Sequence, residues 1–283
     1  MIWQCRKKSF DLSQRVLVMG ILNVTPDSFS DGGKYVDPDL ALARALEMEN
    51  EGADIIDLGG ESSRPKSKPV PEETEMNRVV PVVQRIRAKS DVAISVDTRK
   101  ASVARAALAA GADIVNDISA LRHDPQMAEV AAQANAGVVL MHMQGTPETM
   151  QDQPDYKDIV ADISEFLRDR IEFAMSCGIA ADSIALDPGI GFGKTAEHNL
   201  TILREMNRFN DLGRPVLSGP SRKSFLRYVL FGDNYPDNWP TSPQIAHGTA
   251  AALTASILNG ARIVRVHDVA EARSIIRTGW SLR

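Results

Sequence analysis

Along the chain, short apolar runs alternate with longer segments whose apolar residues recur three and four positions apart. Eight runs read as strands, at 16–24, 53–58, 92–97, 114–116, 138–142, 183–187, 215–218 and 263–267. They are continuous instead of alternating, as parallel strands covered on both faces require. Between them, segments such as 39–51, 74–88, 100–110 and 159–177 carry the helical spacing. Gly52, Gly111 and Gly178 sit just past three of these, where a helix cap wants a left-handed residue. Glu51-Gly52-Ala53-Asp54, Ala110-Gly111-Ala112-Asp113 and Asn259-Gly260-Ala261-Arg262 resemble one another. Each is a helix end feeding a strand, so the likeness marks a repeated βα unit and not a duplicated domain. The pattern predicts an α/β fold, a single (β/α)8 TIM barrel domain over 1–283 with its active site at the C-terminal ends of the strands. An open doubly wound sheet is the rival, and eight regular units favour closure. The stretch 231–243, rich in Asp, Asn, Trp and Pro, reads as a surface loop or a partner contact.

Composition narrows the function. The 283 residues and 30.8 kDa suit a barrel, for which roughly 250 residues is typical. A formal net charge of −5 offers no basic field for nucleic acid, so an anionic substrate must be met by a few placed cations. Only Cys5 and Cys177 occur, far apart, which supports neither a disulfide framework nor a zinc site and fits a reducing cytoplasm. Met1 to Lys8 leads into Ser9-Phe10-Asp11 and not into the apolar stretch of a secretion signal. No run approaches the roughly 18 apolar residues of a membrane span.

In a barrel the chemistry gathers where strands end, and here those ends are polar. They carry Asn23, Asp57, Asp97-Thr98-Arg99, Asn116-Asp117, His142, Asp187, Gly219-Pro220-Ser221-Arg222-Lys223 and Arg265-Val266-His267-Asp268. One polar strand end is often a helix cap. Eight together suit a ligand with hydrogen-bonding edges and a separate anion. Gly193-Lys194-Thr195 looks like the end of a Walker loop, but Pro188 stands where the first Gly is required. Gly191-Phe192-Gly193-Lys194-Thr195-Ala196 fits G-x-G-x-x-A, yet the next strand ends in Gly219 and not in an acid. The five histidines lack i, i+4 pairing, so a built-in zinc site is not supported.

At this point the residues resemble a known family, the dihydropteroate synthases. Gly20-Ile21-Leu22-Asn23-Val24-Thr25-Pro26-Asp27-Ser28-Phe29-Ser30-Asp31-Gly32 is similar to their first loop, and Asp57-Leu58-Gly59-Gly60-Glu61-Ser62-Ser63-Arg64-Pro65 to their second. Agreement continues through Ser95-Val96-Asp97-Thr98, Asn116-Asp117, Leu186-Asp187-Pro188-Gly189-Ile190-Gly191-Phe192-Gly193-Lys194, Ser221-Arg222-Lys223-Ser224 and Arg265-Val266-His267-Asp268, in family order.

The resemblance implies condensation of 6-hydroxymethyl-7,8-dihydropterin pyrophosphate with 4-aminobenzoate in folate synthesis, by a cytoplasmic homodimer that uses Mg²⁺ and is a sulfonamide target. It assigns the pterin to Asp97, Asn116, Asp187, Phe192, Gly219 and Lys223. A pterin edge of N–H donors beside a carbonyl wants acceptors plus a cationic donor. The resemblance gives pyrophosphate to Asn23 through Mg²⁺, with Arg64, Arg265 and His267. It gives aminobenzoate to Ser63, Pro65, Phe192, Ser221 and Lys223, Ser221 being expected to open a helix whose free N–H groups seat the carboxylate. Asp31, Arg64, Lys223, Arg265 and His267 are the expected catalytic set, with Phe29 helping Asp31 shield the cation. Two departures stand out. Ser63-Arg64-Pro65-Lys66 replaces the usual Thr-Arg-Pro-Gly, and Arg227 occupies a common Gly position. The rivals are a pterin-binding methyltransferase and a non-catalytic pterin-binding paralogue.

Overall fold

A computed structural model describes residues 1–25, 37–63 and 67–283. An antiparallel hairpin comes first, β1 (Ile2–Cys5) and β2 (Lys8–Asp11). Eight parallel strands follow: β3 (Leu17–Asn23), β4 (Ile55–Gly59), β5 (Ala93–Asp97), β6 (Ile114–Asp117), β7 (Gly137–Met141), β8 (Ile184–Asp187), β9 (Leu217–Ser218) and β10 (Ile263–Val266). Their order is β8-β7-β6-β5-β4-β3-β10-β9, and a parallel bridge between Leu186 and Val216 joins the two ends into a ring. The doubly wound alternative is thereby excluded.

Helices fill the return from each strand: α1 (Pro38–Glu51), α2 (Glu72–Arg87), α3 (Ala101–Ala110), α4 (Met127–Ala134), α5 (Ile159–Ser176), α6 (Ala196–Arg204), α7 (Ser224–Phe231), α8 (Pro243–Leu258) and α9 (Val269–Ser281). Gly52 and Gly111 close α1 and α3 at φ 102° and 118°, as expected, and Gly178 takes φ 91° one residue past the Cys177 cap of α5. Asp37 accepts from the Asp39 N–H at 2.8 Å to open α1. The unit after β9 holds two helices, α7 and α8, and the loop between them is not bare. The Arg227 guanidinium lies 3.9 Å from the Tyr235 ring centroid and 5.6 Å from that of Trp239. Arg227 thus stands inside an unbroken α7 and holds the 231–243 stretch by cation–π contact.

Period-two alternation inside a closed ring sorts each strand into two populations. Val18, Ile56, Ile94, Val115, Leu140, Leu186 and Val264 face outward and join the helices in one large core. Leu17, Met19, Ile55, Ala93, Ile114, Val139, Ala185, Leu217 and Ile263 face inward and form a second core. That inner core is finished from below by Trp3, Cys5 and Leu12. The hairpin is therefore a plug. Trp3 is fully buried and its indole N–H donates to the Ser183 carbonyl at 3.0 Å. A Cβ on Gly137 would come 2.3 Å from Cys5 Sγ, so the first residue of β7 has to be glycine for the plug to seat. Sequence pattern alone shows no strand in this hairpin because its turn, Arg6-Lys7, lacks the usual Gly or Asn, Arg6 itself taking φ 56°.

Replacing Trp3 by Ala should remove about 3–5 kcal/mol of stability, since it empties a sealed space and leaves the Ser183 carbonyl unpaired. Urea unfolding measures this, and an unchanged midpoint would mean that the hairpin does not plug the barrel.

Candidate active site

Above the inner core, the inward positions turn polar. The strand register places Asn23, Gly59, Asp97 and Asn116 side by side in one layer, with Asp57 and Ser95 paired in the layer beneath. Arg265 rises from β10 into this ring. Its Nε donates to Asp57 Oδ2 at 2.7 Å and its Nη2 to Asp97 Oδ2 at 2.9 Å. Asn116 Nδ2 donates to the same Asp57 oxygen at 3.2 Å. Arg265 is thus held by inward acids, and Nη1 makes no hydrogen bond among the described residues. Gly59 keeps the layer open, since a Cβ there would lie 3.4 Å from Asn23 Oδ1 and 3.9 Å from Asp97 Oδ2.

On the far wall, the turn after β8 carries Phe192 and meets Lys223. The Lys223 ammonium stands 3.9 Å from the Phe192 ring centroid. Two glycines make this approach possible. Gly189, at φ 73°, has no space for a Cβ against the His142 carbonyl, and Gly191, at φ 83°, would put one 2.9 Å from Lys223 Cδ. Asp187 Oδ1 accepts from the Gly189 N–H at 2.6 Å, so this carboxylate braces the turn as a cap would while its charge bears on Lys223. Gly219 adds no side chain beside the Arg265 stem, its missing Cβ lying 3.7 Å from Arg265 Cβ.

These groups shift one another. Burial pushes the Asp97 carboxyl up to about 7, with Arg265 pulling the other way and Asp57 adding to the rise. Burial also raises Asp187, opposed by the Gly189 N–H and by Lys223. Lys223 is brought down to about 8 by burial and by Arg265. Asp57, Asp97 and Asp187 face Lys223 and Arg265, so the mouth holds three carboxyl groups against two cations. That excess of acceptor suits a ligand edge rich in N–H.

Not every polar strand end faces this space. His142 follows an inward Met141, so alternation turns it outward, where its ring meets Phe166 edge-on at 4.9 Å. Asp117 likewise turns away and accepts from the Ser119 and Leu121 N–H groups. Asp268 forms a forked pair with Arg222. The expected helix start at Ser221 is also corrected, because α7 begins at Ser224 and Arg222 takes φ 56°, which no helix continues through. Ser221 instead meets His267, its Oγ 3.0 Å from Nδ1 and accepting from the His267 N–H at 3.4 Å. Of the remaining expected residues, Ser63 is half-buried at the edge of the second loop, while Phe29, Asp31, Arg64, Pro65 and Lys66 lie outside the described residues.

Three features are not visible in the sequence pattern. Asp57 has no role assigned by motif, although its inward register follows from strand alternation. Lys194, set aside with the Walker pattern, is buried and donates to the Phe192 carbonyl at 2.9 Å and to His142 Nδ1 at 3.0 Å, and burial brings it down to about 7. Ile118, Met141, Met143 and Met150 cluster with Phe192 as an apolar wall that looks like ordinary core in the sequence. A further element ties the neck of the second loop. Glu61 accepts from Arg99 at 2.7 Å, from Lys100 at 2.6 Å and from the Val70 N–H at 2.9 Å, so positions 61 and 70 are held together.

Residues 19–267 match the model of the pterin binding enzyme family. A dihydropteroate synthase of Bacillus subtilis is 47% identical over 264 residues, covering 93% of this chain and 87% of the relative. The chain belongs to the dihydropteroate synthase family. Among solved structures, the family's Yersinia pestis member with a sulfonamide drug complex superposes with a TM-score of 0.90 at 42% identity, covering 100% of this chain and 99% of that one. The Xanthomonas albilineans synthase in complex with 7,8-dihydropteroate gives 0.85 at 39% identity, covering 100% and 98%.

The two titrations that flank neutrality make opposite demands. A ligand edge of N–H groups would need Asp97 ionised, so its binding would be gained as pH rises through about 7. A ligand carbonyl facing Lys223 would need the ammonium protonated, so its binding would be lost above about 8. The kcat/KM for the pterin substrate should therefore trace a bell between these limbs, since it reports the free enzyme. A flat profile from pH 6 to 9, roughly the span of both limbs, would contradict the arrangement.

Proposed function

We infer that this protein condenses 6-hydroxymethyl-7,8-dihydropterin pyrophosphate with 4-aminobenzoate, giving 7,8-dihydropteroate and pyrophosphate, as a dihydropteroate synthase. The observation that carries this reading is the pair of carboxylates on Asp97 and Asp187 acting on Lys223, with Asn116 beside Asp97, inside a barrel of this family. A pterin ring fits such a mouth edge-on, its N–H donors toward the carboxylates and its carbonyl toward Lys223. Phe192 and the wall of Ile118, Met141 and Met143 supply the apolar face.

The reaction breaks the C–O bond between the pterin methylene and pyrophosphate, and the electron pair leaves with the phosphate oxygen. Positive charge appears on the methylene and spreads into the ring. The aryl amine of 4-aminobenzoate then forms the C–N bond and loses a proton. No covalent enzyme intermediate is required, and preorganised charge does the stabilising. Arg265, pinned by Asp57 and Asp97, keeps Nη1 for the departing anion, and His267, set by Ser221, stands beside it. The family resemblance would add Arg64 for the same anion and Asp31 with Phe29 to shield the cation. It gives aminobenzoate to Ser63, Pro65, Phe192, Lys223 and the Ser221 hydroxyl.

Asn23 is the protein oxygen that would hold Mg²⁺ together with the substrate's phosphates. The fit is reasonable, because Asn23 Oδ1 borders the open space over Gly59, and a hard cation shared with pyrophosphate needs few protein ligands. Among the described residues no cluster of three His, Cys, Asp or Glu offers a metal a cage of its own, so such an ion would depend on the substrate. Bound there, it would neutralise charge on the leaving group. The same reading extends to a cytoplasmic homodimer. Support for a dimer comes from Tyr228, Val229, Leu230 and Leu258, large apolar residues exposed on α7 and α8. No helix among the described residues is long and apolar enough to cross a membrane.

Pyrophosphate should be released only when both substrates and Mg²⁺ are present. Methyl transfer, or no release with both, would overturn the assignment in favour of the methyltransferase or the silent paralogue. His267→Ala should lower kcat roughly ten- to hundredfold, as loss of a charged hydrogen bond does, with pterin affinity little changed. Calorimetry on 7,8-dihydropterin beside turnover at saturation separates the two effects. Sulfonamides should compete with 4-aminobenzoate, because a sulfonyl group presents its oxygens where the carboxylate would sit. Inhibition that excess 4-aminobenzoate does not relieve would place the aminobenzoate pocket elsewhere.

A further inference from the structure

The barrel mouth contains one carboxylate to which neither the pterin nor the pyrophosphate assignment gives a contact with ligand. Asp57 is fully buried on β4, one layer below Asn23, Asp97 and Asn116. Its Oδ2 accepts from both Arg265 Nε and Asn116 Nδ2, while its Oδ1 has no partner among the described residues. Ser95, its register partner on β5, likewise has a buried hydroxyl without a partner there. A purely structural ion pair would engage both carboxylate oxygens, because each unmade bond in a dry site is costly. Here one oxygen collects two donors from two different strands.

The consequence falls on Asn116. An amide has one end that donates and one that accepts, and the two are nearly the same shape, so its neighbours decide which way it turns. A carboxylate only accepts, so the Asn116 NH2 must face Asp57, and the carbonyl Oδ1 must face away from it. We propose that Asp57 is a positioning residue for pterin recognition, fixing Asn116 with its Oδ1 toward the ligand's N–H edge while holding Arg265 at the same point. This rests on the pterin reading of the site. Asp97 is not placed for the task, since it lies in the same layer as Asn116 and not beneath it, and accepts from Arg265 but not from Asn116.

The assignment separates two substitutions that a structural role would rank differently. Asp57→Asn keeps the shape, and its carbonyl can still accept from Arg265 and Asn116. Asp57→Ala removes the acceptor and lets the Asn116 amide turn over. The probes are 7,8-dihydropterin and an analogue without its 2-amino group, titrated by calorimetry into each variant, with the KM for 4-aminobenzoate measured alongside. Asp57→Ala should bind 7,8-dihydropterin roughly tenfold or more weakly and lose most of its preference for the 2-amino compound. Asp57→Asn should keep that preference, and KM for 4-aminobenzoate should stay within about twofold in both. Equal loss for both probes in Asp57→Ala, or a preference abolished in Asp57→Asn, would overturn the proposal, and the second holds even if the Ala variant does not fold. Failure of the unaltered protein to bind 7,8-dihydropterin would instead overturn the pterin reading itself.

Discussion

A closed ring of parallel strands has a single interior, and every second residue of every strand must go into it. Whatever chemistry those residues carry is then forced together, however far apart they lie in sequence. In the lower half of this barrel the interior is apolar and capped, so a charge there would have neither water nor a partner. Only near the open end can carboxylates and cations be tolerated, and there Arg265 meets Asp57 and Asp97 across 208 and 168 residues of chain. The ion pairs do not create the fold. They are where the fold allows charge to be stored, and the wall built from Phe192, Met141 and Ile118 keeps that charge in a low-dielectric setting.

Much of this order is legible in the amino-acid sequence. The eight strands are visible because double-sided burial makes them continuously apolar, and most of their limits hold closely. Pro215 shows why one of them shifts. It lacks an N–H and leaves only Leu217–Ser218 in the ladder, yet its carbonyl still accepts from Leu186 at 2.9 Å and helps close the ring. The hairpin at the start is not legible, since two strands of four residues joined through Arg6 carry too little pattern and reveal their purpose only at the barrel bottom. Within the site, motif resemblance names Asn116, Asp187, Lys223 and Arg265, but does not say which of them hold ligand and which hold each other. His142 and Asp117 mislead for a geometrical reason. A residue one step past an inward position points outward, and a motif does not show that phase.

Lys194 illustrates a different limit. A lysine after a glycine-rich turn invites a phosphate reading, but this one is buried and uses its donors on the backbone of its own turn and on a neutral imidazole. Burial and neighbouring positive groups hold that imidazole down to about 2, so it remains an acceptor throughout the physiological range. Its effect reaches the site through the carbonyl of Phe192, the residue on whose face Lys223 rests. Arg227 acts similarly on the outer surface, where a cation in an unusual place is explained by the aromatic rings that a neighbouring loop lays over it.

The hairpin plug has a consequence for traffic. With Trp3 and Cys5 sealing one end, the barrel is a cup and not a tunnel. Molecules that share a cup cannot overtake one another: whatever rests on the floor made by Asp57, Asn116 and Arg265 has to enter before its neighbour at the rim and leave after it. The order of events would then be set by architecture, by a packed and plugged floor at the opposite end of the barrel from its mouth.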